Sequence, residues 1–87
     1  MNRKIALVTG GSRGLGKEMA LALARNGHDV VITYREQEAL ATQVVEQIES
    51  IGRKSAKLQW DMRQFKDLAR FLEEFFSVLK VKFGREN

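Results

Sequence analysis

The chain has 87 residues, of which 15 are Lys or Arg and 11 are Asp or Glu, giving a net charge of +4. It has no cysteine, which excludes disulfides and thiolate chemistry, and its one histidine, His28, has no second histidine for a metal site. No apolar run is long enough to span a membrane, and the N-terminus lacks a signal-peptide pattern, so we expect one small cytoplasmic domain without a membrane partner. The basic residues are interleaved with acids, which disfavours a nucleic-acid partner.

The first strand is predicted over 4–9 and leads into a glycine-rich run, Thr9-Gly10-Gly11-Ser12-Arg13-Gly14-Leu15-Gly16. A helix predicted over 14–26 follows, and Gly27 ends it. Glycines let the backbone turn sharply and approach a pyrophosphate, while the N–H groups and dipole of the new helix favour negative charge. The strand, loop and helix therefore predict a phosphate-binding site. We expect the inward face of this helix to consist of Leu15, Met19, Ala22 and Leu23.

Strand-like and helix-like segments continue to alternate, which predicts parallel strands joined by helical crossovers. A strand over 29–34 has a continuous β-branched centre, as expected for a strand buried on both faces. A helix is predicted over 36–51, with an apolar stripe of Leu40, Val44, Ile48 and Ile51. A third strand over 54–60 is more polar, which indicates the edge of a sheet.

The last predicted helix spans 64–82, and Gly84 ends the segment. Its apolar residues recur at helical spacing, and Phe71 and Val78 widen the stripe. We expect this stripe to face the core, and a partner-binding surface is the alternative. The stripe consists of Phe65, Leu68, Leu72, Phe75, Phe76 and Leu79.

The spacing Thr-Gly-x-x-x-Gly-x-Gly resembles the cofactor loop of the short-chain dehydrogenase/reductase family. Gly10, Gly14 and Gly16 fall on the three glycines of that family, and Ser12-Arg13 stands where NADP-using members often carry such a pair. The resemblance covers essentially the whole chain. It implies an α/β fold: a Rossmann-like three-layer βαβαβα unit with parallel strands in the order 3-2-1, lacking the second half of the doubly wound sheet.

Two other phosphate-binding patterns fit less well. The pattern G-x-G-x-x-G fails, because its third glycine would fall at Met19. A P-loop matches at Gly11, Gly16 and Lys17, but Glu18 follows where a hydroxyl is needed for magnesium. A carboxylate there would repel phosphates, so the P-loop remains only a minor alternative.

The cofactor type depends on Tyr34-Arg35-Glu36, at the end of the second strand, which lies beside the adenine ribose in a doubly wound sheet. Arg35 is suited to the 2′-phosphate of NADP because its planar fork can hold phosphate bidentately, and Arg13 can approach from the glycine-rich run. Glu36 instead suits the 2′-hydroxyl of NAD or the start of the second helix. We therefore expect NADP(H), with NAD(H) as the alternative cofactor.

The resemblance also implies roles for other residues near the cofactor. Ser12 is expected to hydrogen-bond a ribose or phosphate oxygen, and Leu15 to offer its N–H to the pyrophosphate while its side chain packs inward. The family often has Asp and an apolar residue after the third strand, which implies that Asp61 accepts the adenine amino group and Met62 contacts the ring. Asp61 as a helix cap is an alternative or additional role. We expect Trp60 to pack in the core, and shielding of the adenine is the alternative. The expected cofactor-binding residues are Gly10, Ser12, Arg13, Gly14, Leu15, Gly16, Tyr34, Arg35, Asp61 and Met62.

No catalytic residue can be assigned. The Asn-Asn-Ala-Gly and Tyr-x-x-x-Lys motifs of the family do not occur, since Tyr34 is the only tyrosine and Glu38 stands four residues later. We therefore expect residues 1–87 to be one incomplete NAD(P)-binding Rossmann domain, inactive alone. The resemblance implies the N-terminal part of a longer NADP-dependent oxidoreductase that transfers hydride between NADP(H) and a carbonyl or alcohol substrate.

Three further hypotheses concern the branch of the family, the function and the partners. The run Val-Val-Ile-Thr-Tyr-Arg resembles the branch containing 3-oxoacyl-carrier-protein reductases. A non-catalytic nucleotide-binding or interaction module is the alternative function. Without a fourth strand, the apolar first strand would be an unprotected sheet edge, which predicts self-association through that edge.

Overall fold

The computed structural model describes residues 4–61 and 68–84 and shows strands and helices in strict alternation. The predicted α/β class is confirmed: the second strand has its predicted bounds, and the first strand, the first two helices and the third strand are each one to three residues shorter than predicted. Residues 64–67 of the last predicted helix, including Phe65, lie outside the described residues. The elements are β1 (Ile5–Val8), α1 (Gly14–Arg25), β2 (Asp29–Tyr34), α2 (Glu38–Ser50), β3 (Ser55–Gln59) and α3 (Leu68–Val81).

The three strands form one parallel sheet in the order β1-β2-β3, which confirms the predicted 3-2-1 order. Val8 pairs with Ile32, and Val31 pairs with Ala56, so β2 lies at the centre. The apolar residues of β2 are fully buried, as their β-branched run predicts. The more polar β3 lies at an edge of the described sheet. Because the three strands are parallel, their carboxyl ends all lie at the same end of the sheet.

One face of the sheet is covered by α1 and α2. Ala20 and Ala24 are buried in α1, and these small residues let the helix axis approach the sheet closely. The predicted inward face of α1 is therefore wrong, because the buried face lies about one residue further along the chain. Met19 and Ala22 are exposed, whereas Leu21 is buried. Of the predicted residues, Leu23 packs partly against the core. This core consists of Val8, Ala20, Leu21, Ala24, Val30, Ile32, Ala41, Val44, Val45 and Ile48.

The second helix also differs from its predicted stripe. Val44 and Ile48 are buried as expected, but Ala41 lies on the buried face and Leu40 is only half-buried. Ile51 is exposed because α2 ends before it, at Ser50. The small Ala41 faces the sheet for the same reason as the alanines of α1: the helices pack close to the strands.

The opposite face of the sheet is covered by α3. Phe71 is the buried residue of this helix and packs with Val31 and Leu58, together with Phe83 beyond the helix end. Phe75, Val78 and Leu79 are partly buried against this group, whereas the side chains Leu68, Leu72 and Phe76 are substantially exposed. The predicted stripe is thus correct at only part of its positions. The ring of Trp60 stacks on Phe71 with the centroids 4.4 Å apart, and this contact favours the orientation of α3 in which Phe71 faces the sheet.

Candidate functional site

A cleft of about 390 Å³ opens where the carboxyl ends of the strands meet the glycine-rich run. It contains six of the residues that the sequence assigned to the cofactor. Gly14, Leu15 and Gly16 are not in its lining but form the adjacent first turn of α1, and Met62 lies outside the described residues. The cleft is lined by Gly10, Ser12, Arg13, Thr33, Tyr34, Arg35, Glu36, Gln37, Trp60 and Asp61.

Thr33 fixes the glycine-rich run to the end of β2, a role that the sequence analysis missed. Its hydroxyl Oγ1 accepts a hydrogen bond from the N–H of Gly10 at 3.0 Å, and its carbonyl accepts one from the N–H of Gly11 at 3.1 Å. Thr33 is itself buried. Its signal in the sequence was a polar residue at the end of an otherwise apolar buried strand, since a buried hydroxyl needs a partner.

Close packing explains two of the glycines. A Cβ on Gly11 would lie 2.7 Å from Cγ2 of Ile32 and 2.8 Å from its Cβ. A Cβ on Gly16 would overlap the carbonyl oxygen of Gly10 and lie 2.9 Å from its carbonyl carbon. Gly10 needs glycine for another reason, because its φ of +68° is in the left-handed region. The loop therefore packs against β2 at Gly11 and against the start of α1 at Gly16, with no space for a side chain at these two positions.

The start of α1 offers unneutralised backbone donors. Arg13 is the N-cap and makes no side-chain capping hydrogen bond, and the first turn contains no acidic residue. The bond from Lys17 N to the carbonyl of Arg13 begins the helix, which leaves the N–H groups of residues 14–16 without a helical acceptor. Such donors, together with the helix dipole, suit an anionic pyrophosphate. The side chain of Leu15 is 77% exposed, so the expectation that it packs inward is wrong.

The opposite wall is formed by side chains that follow β2. Nε of Arg35 lies 3.6 Å from Oε1 of Glu36, and both side chains are exposed. The side-chain amide of Gln59 donates a hydrogen bond to the carbonyl of Arg35 at 3.1 Å, which fixes the backbone of this turn. Glu36 does not start the second helix, because α2 begins at Glu38 with Gln37 as its N-cap. Its carboxylate is therefore available at the cleft.

Tyr34 gives this wall an aromatic surface that stays neutral. Burial raises the pKa of its hydroxyl above 10.0, and the negative charge and hydrogen bond of Glu38 raise it further. Lys57 opposes this shift of the pKa, and its Nζ lies 3.2 Å from Oε2 of Glu38. The phenol thus remains a hydrogen-bonding group without charge at neutral pH.

Trp60 belongs to both the core and the cleft. The expectation of core packing accounts for its stacking on Phe71, yet the residue also lines the cleft beside Asp61. The backbone N–H of Trp60 donates a hydrogen bond to the carbonyl of Tyr34 at 2.9 Å, which joins the ends of β2 and β3. Its indole Nε1 is buried and has no hydrogen-bond partner within the described ranges.

These features define a Rossmann-type nucleotide-binding unit: a parallel sheet, a glycine-rich turn between β1 and α1, and a cleft at the carboxyl ends of the strands. The profile of the short chain dehydrogenase family matches residues 4–81. The chain therefore belongs to the short-chain dehydrogenase family.

In residues 4–61 and 68–84 there is no cluster of acidic and histidine side chains fit to hold a metal ion, and no helix long and apolar enough to cross a membrane.

Known proteins of this kind are similar along nearly the whole chain. Hydroxynaphthalene reductase arp2 from Aspergillus fumigatus is 40% identical over 74 residues, which are 85% of this chain and 27% of that protein. The promiscuous reductase LugOII, which catalyses keto-reduction at C1 during lugdunomycin biosynthesis, is 35% identical with a TM-score of 0.86, covering 94% of this chain and 34% of that one. The angucycline C-6 ketoreductase LanV, solved with bound NADP, is 32% identical with a TM-score of 0.86, covering 93% and 32%. The chain thus spans about a third or less of the length of these relatives.

Proposed function

We propose that this chain forms the adenosine- and pyrophosphate-binding half of an NADP(H)-dependent short-chain oxidoreductase. The observation that carries the proposal is a cleft beside the start of α1 that is lined by two arginines, Arg13 and Arg35, with no side-chain capping hydrogen bond at that helix start. The structure of LanV with bound NADP supports the same choice of cofactor. A cytoplasmic location stays a prediction of the sequence.

The residues of the chain fit the charged parts of this cofactor. The N–H groups of residues 14–16 would bind the pyrophosphate, and Ser12 would hydrogen-bond a ribose or phosphate oxygen. Arg13 and Arg35, which both line the cleft, would hold the 2′-phosphate. At the third strand end, Asp61 would accept the adenine amino group, and Met62 against the adenine ring stays a prediction from the family.

The nicotinamide of the bound cofactor supplies or accepts hydride, and the reaction partner we propose for the whole protein is a carbonyl or alcohol. The names of the relatives, a hydroxynaphthalene reductase and two keto-reducing enzymes, support a reductase. The 87 residues contain no Tyr-x-x-x-Lys and no Asn-Asn-Ala-Gly, so we propose that the chain alone is inactive. The finer resemblance to 3-oxoacyl-carrier-protein reductases remains a prediction.

Fluorescence of the single tryptophan tests cofactor binding directly, because Trp60 lines the cleft. We would titrate the 87-residue chain with NADP⁺ and, in parallel, with NAD⁺, and repeat both titrations by calorimetry. We expect saturable binding with a lower Kd for NADP⁺. Failure to bind either nucleotide would overturn the cofactor site, and equal or tighter binding of NAD⁺ would overturn the NADP(H) preference. Glu46→Gln, at an exposed position of α2, serves as a control that should bind like the unchanged chain.

The alternative function, an interaction module, is favoured by one observation. Leu7 is 41% exposed on β1, which pairs only with β2 in the described part of the chain. We propose self-association through this strand edge, because unpaired N–H and C=O groups beside an apolar side chain are a template for pairing. Size-exclusion chromatography should show an oligomer that Leu7→Lys weakens. A monomer at high concentration would contradict the proposal.

A further inference from the structure

We infer that Phe71, a residue of α3 that does not line the cleft, is a positioning residue for nucleotide binding and acts through Trp60. The stack of the two rings couples the packing of α3 on the sheet to the shape of the cleft, so a bound nucleotide and a packed helix stabilise each other. This inference rests on the proposed function, because the ligand is the nucleotide that the cleft would bind.

Trp60 joins the cleft to α3. It lines the cleft beside Asp61, and its ring lies against that of Phe71 with the centroids 4.4 Å apart and the planes inclined by 15°. Phe71 is 4% exposed and stacks in turn on Phe75, with 6.1 Å between the centroids. The three rings therefore form a continuous aromatic row from the cleft into α3.

The indole ring depends on Phe71 for its orientation. The backbone of Trp60 is held by the hydrogen bond from its N–H to the carbonyl of Tyr34. The side chain has no such support, because its Nε1 makes no hydrogen bond with a residue in 4–61 or 68–84. Packing is what fixes the ring, and an aromatic pair gains more than the burial of its area alone provides.

The attachment of α3 depends on the same contact. Among the described elements, the backbone of α3 comes close to that of β3 alone, and Phe71 is the buried residue of this helix. The side chains of Leu68, Leu72 and Phe76 are substantially exposed. A helix held by so few buried side chains opens more readily than one that is packed along its length. Loss of the stack would therefore free both α3 and the indole that lines the cleft.

The mutual stabilisation has a thermodynamic reason. A nucleotide that packs against Trp60 restricts the indole, and the entropic cost of this restriction is lower where Phe71 already fixes the ring. By linkage, the nucleotide then stabilises the packing of α3 by the same factor. Because Asp61 and Trp60 line the cleft at the end of β3, the effect falls where we propose that the adenine binds. NADP⁺ and NAD⁺ share the adenine and should respond alike.

A matched pair of phenylalanine variants tests the coupling. Phe71→Leu removes the ring from the stack, and Phe76→Leu makes the same change in α3 at a side chain that is 45% exposed. We expect Phe71→Leu to weaken the binding of NADP⁺ and NAD⁺ by a similar factor, about two- to fivefold, in calorimetric titrations of folded protein. Phe76→Leu should leave both Kd values nearly unchanged. An unchanged Kd in folded Phe71→Leu, or an equal loss in Phe76→Leu, would overturn the inference.

A double-mutant comparison tests whether Phe71 acts through Trp60. In a Trp60→Leu background, Phe71→Leu should cause little further loss of affinity. A further loss of the same size as in the unchanged chain would overturn this route. Trp60→Phe keeps an aromatic ring in the stack and should retain more affinity for both nucleotides than Trp60→Leu does. Equal affinities of the two Trp60 variants would contradict a role for aromatic stacking.

Hydrogen exchange needs no substitution at Phe71 and therefore decides the matter even if Phe71→Leu fails to fold. Saturating NADP⁺ should slow the exchange of the backbone amides of α3 about two- to fivefold, since the coupling is reciprocal. The slowing should be smaller in Trp60→Leu. Exchange in α3 that bound NADP⁺ leaves unchanged, or slowing of equal size in Trp60→Leu, would overturn the inference while leaving the proposed function intact. If the unchanged chain bound neither nucleotide, the proposed function would fail, and this inference with it.

Discussion

The two walls of the cleft are built in opposite ways. The glycine-rich wall is built on backbone, held by hydrogen bonds from Gly10 and Gly11 to Thr33 and by contacts that leave no room for a Cβ at Gly11 or Gly16. The wall after β2 is made of side chains, of which Arg35 and Glu36 are exposed and joined only by a screened ion pair. The first wall suits a group common to all dinucleotides, the pyrophosphate. The second suits the position at which NAD and NADP differ.

This difference predicts how each wall responds to substitution. A wall made of packed backbone loses stability and its binding geometry when a single atom is added, because the neighbouring backbone cannot move aside. A wall made of exposed side chains tolerates substitution and changes only its selectivity, because water replaces what is lost. The following substitutions test the difference, beginning with the largest effect.

Gly16→Ala should have the largest effect, because its Cβ would overlap the carbonyl of Gly10. We expect the free energy of unfolding to fall by about 3 kcal/mol or more, as for severe overpacking, and nucleotide binding to be lost. Urea denaturation and Trp60 fluorescence measure the two effects. Gly10→Ala is a matched control in the same loop, with strain from a φ of +68° but no atom within 4 Å of its Cβ, so it should cost only about 1–2 kcal/mol. Equal costs for the two variants would contradict the backbone clash.

Arg35→Ala should change selectivity without unfolding the chain, because its side chain is exposed. Loss of a charge-assisted contact to phosphate should weaken NADP⁺ binding about tenfold and leave NAD⁺ binding nearly unchanged. Parallel calorimetric titrations measure both affinities. Arg25→Ala, at an exposed position in the last turn of α1, removes the same charge outside the cleft and should leave both affinities nearly unchanged. A similar loss for both nucleotides in Arg35→Ala would show that Arg35 does not distinguish them.

Thr33→Val tests the link between the two walls, because it keeps the buried shape but removes the acceptor of the Gly10 N–H. We expect a loss of about 1 kcal/mol in the free energy of unfolding and weaker binding of NADP⁺ and NAD⁺ to a similar extent. Thr33→Ser keeps the hydroxyl and should retain more of the nucleotide affinity than Thr33→Val does. If Thr33→Val bound both nucleotides normally, the hydrogen bond would not be what holds the loop in its binding conformation.

Glu38→Gln should have the smallest effect, a lower pKa of Tyr34, because the carboxylate is one of the causes that raise it. Alkaline titration of tyrosinate absorbance reports this group alone, since Tyr34 is the only tyrosine. Because folding raises this pKa, the associated stability is present below pH 10 and is lost as the pH rises through the folded value. The loss should be smaller in Glu38→Gln. Lys57→Met should shift the pKa in the other direction, and a shift of the same sign in both variants would contradict the assigned causes.

Much of the fold and site could be read from local patterns. The glycine spacing from Gly10 to Gly16 identified the family, and the continuous β-branched run of β2 marked the central strand. Alternation of strands and helices predicted a parallel sheet with helical crossovers, and the resemblance to the family implied the 3-2-1 order. These features depend on neighbouring residues in the chain, whose geometry is fixed by backbone sterics and by periodicity.

The tertiary structure alone decided which helical faces are buried and what joins the walls of the cleft. Periodicity shows that α1 and α3 each have an apolar face but not which side chain meets the sheet: the alanines approach closely in α1, and stacking with Trp60 selects Phe71 in α3. The bonds from the glycine loop to Thr33, and from Trp60 and Gln59 to the end of β2, link residues more than twenty positions apart in the chain. Contacts at such separations depend on the three-dimensional path of the chain, so no local pattern in the sequence records them.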